Sequence, residues 1–159
     1  MEEKKLAIIA TKGSLDWAYP PFILASTASA LGYQTQVFFT FYGLQLLKKN
    51  LTLEVSPLGN PGMPMPMGMD KWFPVLGLAL PGMQGMITAM MKQKMKSKGV
   101  ASIEELRELC IEAEVKLIAC QMTVDLFDMD KAHFIEGIEY AGAAAFFEFA
   151  GDSDICLYI

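Results

Sequence analysis

Short aliphatic or aromatic runs alternate with longer amphipathic stretches along most of the chain. Five runs have the length and residue content of strands, at 5–11, 34–40, 115–119, 138–141 and 154–159. Helical patterns lie between them: an apolar stretch ending at Gly32, and segments at 42–49, 84–98, 102–113 and 123–127. Strands that alternate with helices predict an α/β fold, with about five mostly parallel strands and helices on both faces.

Capping signals refine the predicted helix ends. Ser102 and Glu105 have the spacing of a capping box, which predicts that a helix begins there. Thr123 is predicted to cap the helix that runs through Phe127. Lys48 and Lys49 are expected in the last turn of the helix at 42–49, where the helix dipole favours cations.

The alternation stops between residues 50 and 83. Residues 59–69 are all Gly, Pro, Asn or Met, a sequence that forms neither a helix nor a central strand. We therefore expect one domain, 1–159, that carries a long insertion at 50–83 acting as a lid, a binding loop or an oligomer contact. Residues 72–91 lack charge over a length that could span a membrane, but five Pro and Gly residues interrupt them: Pro74, Gly77, Pro81, Gly82 and Gly85.

Composition narrows the class of protein. The chain is 53% hydrophobic and 19% charged, which excludes a disordered chain and indicates apolar surface for a homo-oligomer. A net charge of -5 argues against nucleic acid as a partner. Three cysteines at scattered positions are no disulfide framework, and the N-terminus lacks a secretory signal, so we expect a cytoplasmic protein.

Ligands of a parallel α/β sheet gather at the carboxyl ends of its strands, and this points to Cys120. Cys120 follows the strand at 115–119 and precedes a helix, a position that favours the nucleophilic thiolate. Cys110 lies on an apolar helix face and Cys156 lies within the closing strand, so both are predicted to be buried structural residues. From the residues alone, an inert cysteine at a strand end remains the alternative for Cys120.

Other residues could assist the thiol. The loop with Lys12, Gly13 and Ser14 lacks nucleotide-binding spacing, and Lys12 is expected to place positive charge near an anionic sulfur species. His133 is expected either at the surface or in a supporting position behind the reactive residues, rather than as a catalytic residue. The other candidates for binding the sulfur substrate are the three residues after Cys120 and three methionines of the expected lid: Gln121, Met122, Thr123, Met63, Met65 and Met67. Thioether sulfur also suits Cu(I), so the lid methionines together with Cys120 and Met122 could form a copper site. An apolar lid is the preferred interpretation, and we expect no metal and no cofactor.

Several motifs in order resemble the DsrE/DsrF-like family, in its branch with a Met/Pro-rich insertion. They are KGSLD at 12–16, AYPP at 18–21, FFTFYG at 38–43, GMPMP at 62–66, ACQMTVDL at 119–126 and FEFAGDSD at 147–154. The resemblance implies a flavodoxin-like subunit that forms oligomers and carries sulfane sulfur as a cysteine persulfide between donor and acceptor proteins in cytoplasmic relays.

The family's persulfide-bearing cysteine corresponds to Cys120. The resemblance thus implies a sulfur carrier or sulfurtransferase, and it leaves a peripheral membrane contact open because relatives of this branch have been associated with membranes. The alternative is a non-catalytic docking protein whose Met-rich loop binds a protein, a membrane or Cu(I).

Overall fold

A computed structural model of the chain describes residues 3–58 and 80–159. The chain forms two compact units. The first comprises Met1–Gly13, Trp17–Thr52 and Ser102–Ile159, and the second comprises Ser14–Asp16 and Leu53–Ala101. That the whole chain acts as one domain stays a prediction.

The described elements follow the predicted alternation closely. The strands are β1 (Lys5–Ala10), β2 (Gln34–Phe39), β3 (Lys116–Cys120), β4 (Glu139–Ala141) and β5 (Ile155–Tyr158). The α-helices are α1 (Leu15–Ala30), α2 (Met83–Ser97), α3 (Ile103–Glu112), α4 (Gln121–Leu126) and α5 (Ala143–Ala150). Two 3-10 segments complete them, at Phe41–Leu47 and Lys131–His133.

The five strands form one parallel sheet in the order β4-β3-β2-β1-β5. In the β2–β3 register Phe39 lies opposite Ala119, and in the β3–β4 register Cys120 lies opposite Ala141. The carboxyl ends of β2, β3 and β4 therefore meet at one edge of the sheet. The parallel sheet predicted from the alternation is confirmed.

Helices cover both faces of this sheet. Side chains of consecutive strand residues point to opposite faces, so Phe38 and Phe39 of β2 mark the two sides. The Phe39 ring lies 5.7 Å from that of Phe22 in α1, and the Phe38 ring lies 5.4 Å from that of Phe146 in α5. Each face thus has an aromatic contact between sheet and helix at the centre of the core.

The capping box at the start of α3 is confirmed. Ser102 N–H donates to Glu105 Oε2 at 2.6 Å, and Glu105 N–H donates to the Ser102 hydroxyl at 3.2 Å. Each side chain thereby satisfies a backbone donor that has no carbonyl partner within the helix.

The segment predicted as a helix at 42–49 is a 3-10 helix that ends at Leu47. Placing Lys48 and Lys49 in its last turn was therefore wrong. The buried Arg107 donates from Nη1 to the carbonyls of Leu46 and Lys48, at 3.0 and 2.8 Å. A guanidinium from a distant helix satisfies these carbonyls, so the last turn needs no cation of its own.

The second unit contains α2, which confirms the helix predicted at 84–98. The Thr88 hydroxyl accepts from Val55 N–H at 3.0 Å, and Gln84 Nε2 donates to the Val55 carbonyl at 2.8 Å. Ile87 is buried beside Thr88, whereas Met86 and Met90 are exposed. In residues 3–58 and 80–159, no helix has the length and apolarity that a membrane crossing requires. The predicted lid at 59–69 and the first part of 72–91 lie outside the described residues.

Candidate functional site

Cys120 is the last residue of β3 and the N-cap residue of α4. Its backbone is extended, with φ of -64° and ψ of 109°. The predicted position at a strand-to-helix switch is confirmed. α4 has only six residues, so its dipole is small, and the Cys120 side chain makes no capping hydrogen bond to the first turn of the helix.

Thr123 lies inside α4, so its predicted role as the N-cap was wrong. The helix begins at Gln121, and the Thr123 side chain is fully buried. Its hydroxyl lies 3.2 Å from Thr40 Oγ1 and accepts a 3.3 Å hydrogen bond from Phe41 N–H. Thr123 therefore ties the segment after β2 to the helix that follows Cys120.

The Cys120 side chain is buried, with 4% of its surface exposed. It belongs to an apolar cluster that contains Ala7, Phe38, Ile118 and Phe146. Phe146 comes from α5, which is far from Cys120 in sequence, and no local signal around the cysteine identifies it. The thiol thus lies in a water-poor environment between the sheet and α5.

The other two cysteines occupy different environments. Cys110 is fully buried, its Sγ lies 3.5 Å from the Phe22 carbonyl, and burial raises the pKa of its thiol to about 11. The structural role predicted for Cys110 is consistent with this environment. The predicted burial of Cys156 was wrong, because Cys156 is exposed. Cys156 lies on β5, an edge strand that pairs with β1 on one side and, among the described residues, has no neighbouring strand on the other.

Gln121 and Met122 immediately follow the thiol. Gln121 accepts a hydrogen bond from Lys131 Nζ at 2.8 Å and donates one to Asp125 Oδ1 at 2.6 Å. The Met122 side chain is 61% exposed. Of the residues predicted around Cys120, these two and Thr123 lie on the same short helix at the carboxyl edge of the sheet.

A model of the DsrE/DsrF/DrsH-like family matches residues 2–158. The chain belongs to this family. The family resemblance inferred from the motifs is thereby confirmed.

Two family relatives match the full length of the chain. One is 90% identical over 159 residues, covers all of both chains, and is named sulfur carrier protein DsrE2 of Allochromatium vinosum. The other is an uncharacterized Bacillus subtilis protein, YrkE, which is 32% identical over 99% of this chain and 98% of its own. Among solved structures, Escherichia coli YchN has a TM-score of 0.54 at 12% identity, over 98% of this chain and 99% of YchN. This likeness confirms the fold alone.

The loop after β1 holds the residues predicted to assist the thiol in this family member. The Lys12 ammonium lies 3.2 Å from the centre of the Trp17 ring in a cation–π contact. Gly13 has no room for a side chain, because a Cβ there would overlap the Tyr42 carbonyl oxygen. Ser14 belongs to the second unit. A role for these three residues toward Cys120 stays a prediction.

The remaining candidates divide between the described and the undescribed parts of the chain. Met63, Met65 and Met67 lie outside the described residues. Within 3–58 and 80–159, His, Cys, Asp and Glu side chains form no group of three or more that could hold a metal ion. His133 is exposed in the 3-10 segment, in agreement with the predicted surface position.

Proposed function

We propose that this chain is a sulfur carrier that accepts sulfane sulfur as a persulfide on Cys120 and passes it to another protein. The observation that carries the proposal is the relative named sulfur carrier protein DsrE2, which is 90% identical over the whole of both chains. The position of Cys120 at the carboxyl edge of a parallel sheet supports its choice as the carrier residue.

The transfer needs one thiolate. Cys120 Sγ attacks the outer sulfur of a donor persulfide, the new Sγ–S bond forms, and the donor's S–S bond breaks. The donor leaves as a thiolate with the electron pair of that bond, and Cys120 becomes Cys120–S–SH. In the second step an acceptor thiolate attacks the outer sulfur, the Sγ–S bond breaks, and the Cys120 thiolate is restored. Sulfane sulfur moves between thiols, so no external oxidant or reductant is needed.

Cys120 is better placed for this chemistry than the other cysteines. The raised pKa of Cys110, about 11, keeps its thiol protonated at neutral pH, and the protonated thiol is a poor nucleophile. Cys156 is accessible, but it pairs with Ala7 in the middle of the β1–β5 ladder, away from the carboxyl edge. Cys120 combines the edge position with apolar surroundings that exclude water from a reactive persulfide.

Intact-mass spectrometry after incubation with inorganic polysulfide tests the carrier residue. We expect the Cys156→Ser parent, and the same protein with Cys110→Ala, to gain a sulfur atom that dithiothreitol removes, and the addition of Cys120→Ser to abolish this gain. Because exposed Cys156 can also react with polysulfide, all variants carry Cys156→Ser. Full loading of the Cys120→Ser variant, or no loading of the parent, would reject Cys120 as the carrier.

The partners follow from this chemistry. We propose a protein sulfur donor and a protein sulfur acceptor, in the cytoplasm, where free thiols persist. Whether the transfer is stoichiometric or catalytic, as in a sulfurtransferase, depends on how quickly the acceptor regenerates Cys120. We also propose that the chain forms a homo-oligomer, which the exposed apolar residues of α1 support: Trp17, Ile23 and Leu24.

A further inference from the structure

Five apolar side chains are exposed at the carboxyl edge of the sheet, on the segments that follow β2 and β3. Together they form the edge patch: Phe41, Tyr42, Met122, Leu126 and Phe127. Tyr42 is 65% exposed and Leu126 is 59% exposed. The Phe127 ring joins the two segments, because it stacks on Tyr42 and meets Phe41 edge-on, each at 6.1 Å between ring centres.

The backbone holds this patch in place. Phe41 has a φ of 48°, a left-handed conformation that is unfavourable for a non-glycine residue. The hydrogen bond from Phe41 N–H to the buried Thr123 hydroxyl helps to stabilise it. The same Thr123 belongs to α4, which begins directly after Cys120. The patch is thus fixed to the structural elements that carry the thiol.

Acidic side chains flank the patch on the α4 side. Asp125, Asp128 and Asp130 are all exposed. The one cation in residues 121–131, Lys131, already donates to Gln121 and lies over the Tyr140 ring at 4.2 Å. On the β2 side, residues 40–47 contain no charged residue; the nearest cations there are Lys12, which lies over the Trp17 ring, and Lys48 and Lys49, so the acidic border lies on the α4 side alone. An apolar centre with a negative border is complementary to an apolar surface with a positive border.

We propose that the edge patch docks the protein that exchanges sulfur with Cys120, and that it selects a partner whose reactive cysteine lies in an apolar loop flanked by Lys or Arg. This inference rests on the proposed function. A second copy of the chain is disfavoured as the occupant, because a symmetric contact through the patch would bring the same acidic borders together. An anionic membrane would be repelled for the same reason.

Two synthetic persulfide peptides test the charge preference. Both carry one cysteine persulfide in the same apolar sequence, flanked by Lys in one peptide and by Glu in the other. With the Cys156→Ser protein at low salt, we expect the Lys peptide to load Cys120 at least about tenfold faster, an advantage that declines as ionic strength rises. The double variant Asp125→Asn/Asp128→Asn should lose this advantage. The matched control, Glu108→Gln/Glu112→Gln on α3, should keep it.

The apolar centre is tested separately. Phe127→Ser should slow loading by both peptides and leave loading by inorganic polysulfide unchanged, because a small donor needs no docking surface. Its matched control is Leu109→Ser, which removes an exposed apolar side chain from α3. Circular dichroism confirms that each variant is folded before its rate is compared.

The outcomes separate docking from sulfur chemistry. Equal rates with the two peptides, or a Lys preference that survives the Asn variants, would overturn the docking inference while leaving the carrier function intact. If the Cys156→Ser parent takes up no sulfur from polysulfide, the carrier function is overturned and the docking inference falls with it. A change from oligomer to monomer in Phe127→Ser, measured by light scattering, would identify the patch as a subunit contact and reject partner docking.

Discussion

Cys110 and Cys120 illustrate how the surroundings of a residue decide what its thiol can do. Both side chains are buried. Cys110 lies within α3, and its Sγ is near the Phe22 carbonyl of α1, with no strand end or helix start beside it. Cys120 lies where β3 ends and α4 begins, and it packs in the same cluster as Phe146 of α5. The first position suits packing and the second suits transfer.

Cys110 should make the fold sensitive to alkali. Burial raises the pKa of its thiol from 9.0 to about 11, so the folded state holds this proton more tightly than the unfolded state. The stability associated with the neutral thiol is complete below pH 9 and is lost as the pH rises through about 11. We expect Tm to fall more steeply between pH 9 and 11 in the wild type than in Cys110→Ala.

Cys156→Ala is the control for this measurement, because it removes an exposed thiol and should keep the wild-type slope. If Cys110→Ala loses stability over this pH range as steeply as the wild type, Cys110 is not the group responsible.

At the scale of elements, α5 covers the Cys120 side chain. Its Phe146 side chain is buried in the cluster that contains Cys120, whereas the adjacent Phe147 is 68% exposed. In the proposed transfer a protein-bound persulfide has to reach the Cys120 thiolate, so we expect the contact between α5 and the sheet to open. α5 has eight residues, and a helix this short has few contacts to break.

Truncating Phe146 should therefore expose Cys120. In the Cys156→Ser background, we expect Phe146→Ala to react with a thiol-specific reagent several-fold faster at Cys120 and to lose about 3–5 kcal/mol of stability. Phe147→Ala on the same helix is the matched control and should change neither quantity substantially. The rates are measured under native conditions by absorbance and assigned to Cys120 by peptide mapping.

Phe146→Leu provides a second variant that keeps more of the core volume. An unchanged Cys120 rate in both Phe146 variants would show that α5 does not limit access to the thiol.

At the scale of the whole molecule, the outer side of α1 is unusual for an exposed helix. α1 contains no charged residue after Asp16. Trp17 and Leu24 of α1, and Leu31 directly after it, recur at seven-residue intervals with exposed side chains. Surface helices normally have polar residues on the side away from the core. An exposed row of large apolar side chains is expected where a second surface covers it, which supports the proposed homo-oligomer.

A charge on this side of α1 should disrupt the assembly. We expect Leu24→Lys to reduce the molar mass measured by light scattering toward that of the monomer, because an interface would bury the ammonium without a partner. Leu109→Lys places the same charge on the exposed side of α3 and should leave the molar mass unchanged. A monomeric wild type, or an oligomer that survives Leu24→Lys, would contradict an α1 interface.

Much of the fold follows from signals within a few residues of one another. The strands, the capping box at Ser102 and Glu105, and the position of Cys120 at a strand end were all predicted, because alternation and capping depend on neighbours along the chain. The family motifs added the expectation of a persulfide carrier. The strands, the capping box and the position of Cys120 at a strand end are therefore determined by the sequence itself.

Tertiary structure decided what covers each residue. Phe146 reaches Cys120 only because α5 packs on the same face of the sheet, and Thr123 meets Thr40 only because β2 and β3 are neighbours. Cys156 is exposed on β5, which the strand order β4-β3-β2-β1-β5 places at an edge of the sheet, and the aliphatic sequence of β5 reveals neither fact. Burial depends on contacts between segments that are distant along the chain, and a local pattern carries no information about which of them will meet.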